Sequence, residues 1–105
     1  MDDKTANLLI EQTQNIKAKL AMKGWTLSAI DRKYKLPAST ARTTLREANR
    51  RGEEAIATAL EVQPHTLWPL RYNQVTGQRL SPQPSKNYER PPTILQRRKM
   101  REAQT

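Results

Sequence analysis

Hydroxyl and guanidinium side chains recur at helical spacing within residues 38–49. Four of them fall on one face of a helix, since residues three, four and seven positions apart are neighbours there: Ser39, Arg42, Thr43 and Arg46. An arginine can donate two parallel hydrogen bonds to O6 and N7 of guanine, and serine and threonine can bond base edges. The residue types and their spacing predict contacts to base edges in the major groove of duplex DNA.

Other cationic and hydroxyl side chains flank this face. Such side chains bind DNA phosphates, which positions a protein on the duplex without reading its sequence. An exposed, solvated helix face is the alternative for each residue taken alone. We expect phosphate contacts from Lys33, Lys35, Thr40, Arg50 and Arg51.

Positive charge is concentrated in two parts of the chain. The 105 residues carry a net charge of +9. Residues 15–51 hold ten basic and two acidic side chains, and residues 73–105 hold seven basic and two acidic ones. Clustered basic charge is the electrostatic footprint of a protein that binds a polyanion. The pattern favours nucleic acid as the partner over an evenly solvated surface.

Residues that support catalysis or metal binding are scarce. The chain has no cysteine, which excludes thiolate nucleophiles and cysteine-based zinc sites. Its one histidine, His65, has no cysteine partner, and its three glycines are too dispersed to cradle a phosphate. We expect no catalytic residue, no metal site and no cofactor, and we expect that the protein is not an enzyme.

The sequence carries no signal for a membrane or for export. No apolar run approaches the roughly 18–20 residues of a membrane span. The start, MDDKTANLLIEQ, is acidic and lacks the apolar region of a signal peptide. We expect a cytoplasmic protein with no membrane partner and no small-molecule ligand.

Five short helices must position the polar side chains. Apolar residues recur at helical spacing, Gly24 is a natural helix stop, and Thr26 or Ser28 can cap the second helix. No segment alternates as a strand does. The sequence predicts a compact all-α domain over residues 1–72 and a largely disordered tail, rich in proline and basic residues, over 73–105. The predicted helices are at about 6–23, 27–34, 38–49, 53–60 and 64–68.

The second and third predicted helices have the proportions of a helix-turn-helix. In that motif the first helix crosses the DNA backbone and the second enters the major groove. Two positions differ from the general pattern, because Asp31 lies where a small residue is usual and Lys35 lies where glycine is usual. The motif predicts that helix 38–49 is the recognition helix.

Residues 27–72 resemble the Ner/Nlp family of small phage and bacterial DNA-binding regulators. The resemblance rests on LSAI at 27–30, TL at 44–45, GEEAIATAL at 52–60 and LWPLRY at 67–72. It implies a lambda-repressor-like helical bundle that binds duplex DNA sequence-specifically. It also implies a repressor of early transcription, as in transposable phages such as Mu. The chain differs from the family in its first helix, which lacks a tryptophan, in its NRRG loop, and in its long tail.

The sequence alone leaves other functions open. A DNA-binding protein of this size could instead be an architectural or recombination accessory factor, or an activator. A protein-interaction module whose basic tail binds an acidic partner is a further alternative. The protein could bind DNA as a homodimer or as tandem monomers.

Overall fold

A computed structural model describes residues 2–104. Met1 and Thr105, at the ends of the two predicted segments, lie outside the described residues. Within residues 2–104 the chain forms six α-helices and one 3₁₀ helix, Ser85–Tyr88, and has no β-strand. The predicted all-α class is therefore confirmed. The helices are α1 Asp3–Met22, α2 Leu27–Lys33, α3 Thr40–Thr44, α4 Arg50–Leu60, α5 Pro64–Leu67 and α6 Ile94–Gln104.

The hydrophobic core draws on each of the first five helices. Ile16 of α1, Ile30 of α2 and Ile56 of α4 are buried and belong to one cluster. Trp68, which follows α5, is fully buried in the same cluster, as the sequence predicts for a tryptophan between Leu67 and Pro69. Burying such apolar side chains is the main favourable contribution to folding. The core therefore joins α1 to the helix-turn-helix.

The third helix is shorter than predicted. α3 covers Thr40–Thr44 rather than 38–49. It starts late because Ser39 has a left-handed φ of 69°, which a helix does not contain. Inside α3 the Thr44 hydroxyl donates to the Thr40 carbonyl oxygen at 2.7 Å. Such local bonds compete with helix extension.

The chain leaves the helical path after α3 and enters α4 earlier than predicted. The Ala48 N–H donates to the Asn87 carbonyl oxygen at 2.8 Å instead of bonding back along a helix. Asn49 caps α4, since its side chain accepts a hydrogen bond from the Gly52 N–H at 3.1 Å. Arg50 and Arg51 therefore lie in the first turn of α4 and not at the end of α3.

The prediction of a disordered tail from residue 73 is wrong for the residues that follow α5. Asn87 is only 1% exposed, and its side chain donates to the Leu70 carbonyl oxygen at 3.0 Å. The Gln83 side chain donates to the carbonyl oxygens of Arg71 and Leu80, both at 2.8 Å. Polar side chains attach this segment by bonding backbone groups, so its low apolar content does not leave it unfolded.

The last part of the tail forms a helix. α6 covers Ile94–Gln104. One contact ties it to α1, because Arg97 Nη1 donates to Asn7 Oδ1 at 2.6 Å. The basic residues of the tail are thus partly carried on a helix.

Candidate nucleic-acid interface

Asp31 and Lys35, the two residues that differ from the general helix-turn-helix pattern, both have structural roles around the turn between α2 and α3. Lys35 has a φ of 56°, in the left-handed region that favours glycine. The Asp31 carboxylate accepts a hydrogen bond from the buried Ala41 N–H at 2.8 Å. Asp31 therefore caps α3 from α2, which fixes how the two helices meet. A small residue could not make this bond.

Of the four predicted base-contact residues, two lie within α3, one precedes it and one follows it. Ser39, Arg42 and Arg46 are exposed, and Thr43 is half-buried. Within residues 2–104 none of the four side chains makes a hydrogen bond or an ion pair. Arg46 lies beyond the last residue of α3, where it lines a cavity beside α1. The Arg46 N–H nevertheless donates to the Thr43 carbonyl oxygen at 3.0 Å, so a helical turn continues as far as Arg46.

Some of the predicted phosphate-contact side chains already contact another residue, and others do not. The Lys33 ammonium lies 5.3 Å from the Trp25 ring centroid. Arg50 Nε lies 3.2 Å from Glu54 Oε1 in an exposed ion pair. Lys35 and Arg51 are exposed, with no side-chain partner among the described residues.

Thr40 is the least available of the predicted phosphate contacts. Its side chain is half-buried, and its hydroxyl donates to the Pro37 carbonyl oxygen at 2.7 Å. The hydroxyl oxygen can still accept a hydrogen bond, but its proton is already donated. A phosphate oxygen needs that proton.

Side chains from other elements hold the recognition segment, residues 39–48, in place. The Thr13 hydroxyl of α1 donates to the Leu45 carbonyl oxygen at 3.0 Å. On the opposite side Gly52 of α4 packs so closely that an added Cβ would overlap the Thr44 hydroxyl. Together with the Asp31 cap and the bond from Ala48 to Asn87, these contacts fix a helix too short to be stable alone.

Residues 12–84 match the family model described as winged helix-turn-helix DNA-binding. The chain belongs to this family. The match extends from the middle of α1 into the segment after α5, so it includes the helix-turn-helix and the residues that buttress it. It supports duplex DNA as the partner. No curated protein and no solved structure matches the chain.

This winged helix-turn-helix domain has a minimal hairpin after α5. One antiparallel bridge joins Tyr72 to Arg79, and the Asn73 N–H donates to the Gln78 carbonyl oxygen at 2.8 Å. Gly77, with a φ of 76°, provides the left-handed residue of the turn. Among residues 2–104 this bridge is the only β-pairing.

A buried carboxylate anchors that hairpin to the winged helix-turn-helix domain. Glu53 is fully buried at the start of α4. Its oxygens accept hydrogen bonds from Arg71 Nη1 at 3.2 Å, Tyr72 Oη at 2.9 Å and Arg79 Nε at 3.0 Å. A further bond comes from the Asn49 N–H at 2.7 Å. We call Glu53, Arg71, Tyr72 and Arg79 the Glu53 cluster.

Opposing effects act on the ionisation of the cluster. Burial raises the pKa of Glu53, but hydrogen bonds from Arg79 and Tyr72 and the charge of Arg71 outweigh it, so the pKa lies below its ordinary value. Burial lowers the pKa of Arg71, and burial followed by the Glu53 charge raises the pKa of Tyr72. Glu53 is therefore ionised at neutral pH, between two arginines that remain charged.

Sequence reasoning missed the roles of Glu53 and Asn87. Glu53 lies in the first turn of α4, where the helix dipole favours a carboxylate, and the structure also gives it three side-chain partners. The only signal was the Arg-Tyr pair at the end of LWPLRY, which no simple core pattern explains. Asn87 gave no signal, because its bonds to Leu70 and Ala48 join distant parts of the chain.

Two other kinds of site are absent from residues 2–104. No helix within residues 2–104 is both long and apolar enough to cross a membrane. The same part of the chain contains no group of three or more His, Cys, Asp or Glu side chains placed to hold a metal ion.

Proposed function

We propose that this protein is a sequence-specific transcriptional regulator of duplex DNA, acting as a phage-type repressor of early transcription in the bacterial cytoplasm. The observation that carries the proposal is the set of exposed, unpaired side chains on and beside α3, led by Arg42, in a chain of a DNA-binding family. The resemblance of residues 27–72 to Ner/Nlp regulators supports the repressor role.

In the proposed complex α3 enters the major groove and α2 crosses the backbone. Arg42 is the candidate for a bidentate bond to guanine, because it is exposed and has no partner among the described residues. Ser39 and Thr43 would bond base edges near it. Arg46, two residues past the end of α3, would reach a base or a phosphate at the side of the groove. We assign sequence reading mainly to Arg42.

Phosphate binding falls mainly to Lys35 and Arg51. Both are exposed and neither has to break an ion pair to bind DNA. Arg50 would first have to leave Glu54, although an exposed pair of this kind contributes only about 0–1 kcal/mol. Lys33 can bind a phosphate from its position above Trp25.

The test uses the full chain and two matched arginine variants. Selection from a random DNA pool yields the preferred site, and anisotropy titrations then measure affinity for that site and for random DNA. Arg42→Ala should weaken the selected site by about 1–3 kcal/mol and leave random DNA nearly unchanged. Arg51→Ala should weaken binding to both DNAs alike. It should also reduce the slope of log affinity against log salt concentration by about 1.

Two results would contradict these assignments. Equal losses on both DNAs for Arg42→Ala would make Arg42 a phosphate contact. Failure of the selection to enrich any sequence would refute sequence-specific binding.

Footprinting on the phage or host promoter that carries the selected site then tests the repressor role, since a repressor must cover the promoter and lower transcription in vitro. The footprint's symmetry reports whether the protein binds as a homodimer or as tandem monomers.

A further inference from the structure

A cavity of about 800 Å³ lies beside the recognition segment. Its walls come from α1, from the residues just after α3, and from residues 90–96 that precede and begin α6. Pockets of about 300–1,000 Å³ are the usual size of sites for small organic ligands. The cavity is therefore large enough for a ligand rather than a few waters.

Among the described residues, the charged side chains that line the cavity are all cationic. Arg46, Arg71 and Arg90 line it, and no carboxylate side chain does. Arg46 has no partner in the described chain, and Arg90 forms one long, exposed ion pair, with its Nε 3.9 Å from Glu47 Oε1. Two of the three guanidinium groups are thus available to an anion.

Two polar atoms of residues that line the cavity have no hydrogen-bond partner among the described residues. Gln12 is 6% exposed and Arg71 is 1% exposed, and both line the cavity. Gln12 Oε1 and Arg71 Nε are buried and have no hydrogen-bond partner. Buried polar groups are normally bonded, so the unbonded Gln12 acceptor and Arg71 donor are unusual, and both atoms are covered by the side chains that surround them.

Apolar side chains complete the lining. Leu9, Leu45 and Leu95 face the same space as the arginines. Binding sites combine such apolar walls with a few polar groups that orient the ligand. We propose that this cavity binds a small organic anion with an apolar body, its acid group held by Arg46 and Arg90.

The position of Arg46 couples this site to DNA. Arg46 both lines the cavity and belongs to the recognition segment, so an anion that holds it withdraws one cation from the duplex. This coupling rests on the proposed function, whereas the binding of the anion does not. The ligand would act as an inducer that lowers DNA affinity.

The experiment uses two fluorescent probes and the full chain without DNA. Anilinonaphthalene sulfonate carries an apolar body, an N–H donor and an anion, and phenylnaphthylamine is its neutral counterpart. We expect saturable binding of one sulfonate probe per chain, about tenfold tighter than the neutral probe, as charged hydrogen bonds require. Arg46→Gln and Arg90→Gln should each weaken the sulfonate about tenfold and leave the neutral probe unchanged.

Arg98→Gln is the matched control, since Arg98 is exposed on α6 and does not line the cavity. It should bind both probes within about twofold of the original chain, and circular dichroism confirms that all variants are folded. Equal affinity for the two probes, binding that does not saturate, or an equal loss in Arg98→Gln would overturn the proposed site.

The coupling is tested separately with the selected DNA. Saturating sulfonate probe should weaken DNA binding by the original chain and have no effect on Arg90→Gln, which lacks the anion site. Unchanged DNA affinity with the cavity filled would refute the coupling while the titrations without DNA still support the site. If no DNA is bound at all, the proposed function fails and the probe titrations remain informative.

Discussion

The Glu53 cluster offers a direct test of what holds the domain together. The change is Glu53→Gln, which keeps the side-chain shape and removes the charge. One carboxylate oxygen accepts from Tyr72 and Arg79, and the other accepts from Arg71, Arg79 and the Asn49 N–H. An amide nitrogen in place of either oxygen would point its protons at donors. Arg71, 1% exposed, would then be a buried charge without a counterion.

Glu53→Gln should lower the free energy of unfolding by a large amount for a chain of this size. Removing one partner of a buried ion pair costs about 3–5 kcal/mol, because the remaining charge stays out of water. The free energy of unfolding of a small domain is about 5–15 kcal/mol. The matched control is Glu54→Gln, whose pair with Arg50 has side chains 56% and 76% exposed. An exposed pair contributes about 0–1 kcal/mol. The loss in the free energy of unfolding should therefore be several times larger for Glu53→Gln than for Glu54→Gln.

Urea unfolding at several pH values measures both the size and the cause of the effect. The pKa of Glu53 is lower in the folded chain than its unfolded value of about 4.3. Its stabilisation is therefore present above about pH 4.3 and is lost as the pH falls through the folded pKa. The gap between the original chain and Glu53→Gln should shrink in acid. A gap below about 1 kcal/mol at pH 7, or one that stays constant into acid, would refute the reasoning.

Two further predictions concern backbone positions. Gly52→Ala should destabilise the fold by about 1–3 kcal/mol, because its Cβ would overlap the Thr44 hydroxyl and lie 2.8 Å from Thr44 Cβ. In a Thr44→Ala background urea unfolding should show a smaller loss, and an undiminished one would contradict the packing. Lys35→Gly should stabilise the fold by about 1 kcal/mol, since Lys35 has a φ of 56°. Lys33→Gly, inside α2, should destabilise it by about as much, and a stabilised Lys33→Gly would show that φ is not the cause.

Local patterns predicted the elements that pack through apolar faces. α1, α2, α4 and α5 lie close to their predicted positions, and Thr26 caps α2 as one of the two residues suggested by the sequence. The left-handed Gly24 marks the end of α1, with a φ of 75°. These features depend on residues a few positions apart, so hydrophobic periodicity and capping rules identify them.

Long-range polar contacts were not predictable in the same way. Glu53 meets Arg79 across 26 residues, and Ala48 meets Asn87 across 39. Such pairs leave no periodic trace, and composition described the segment after residue 73 as disordered. The residues of the candidate site were easier to identify, because arginines and threonines at helical spacing can be recognised in the sequence without knowing any long-range contact. The structure was needed to show that the Thr40 hydroxyl is already bonded and that Arg50 is paired with Glu54.

The shortness of α3 is itself informative about how the interface is built. Five residues with three threonines have little intrinsic helical stability. Its geometry is instead imposed by groups outside it: Asp31 at its start, Thr13 near its end, and Gly52 beneath it. Because these outside groups support the helix, α3 does not need residues of high helix propensity, and its side chains can instead be ones that form hydrogen bonds. A preorganised segment also loses less conformational entropy on binding, so the polar surface of α3 and its external support are two parts of one arrangement.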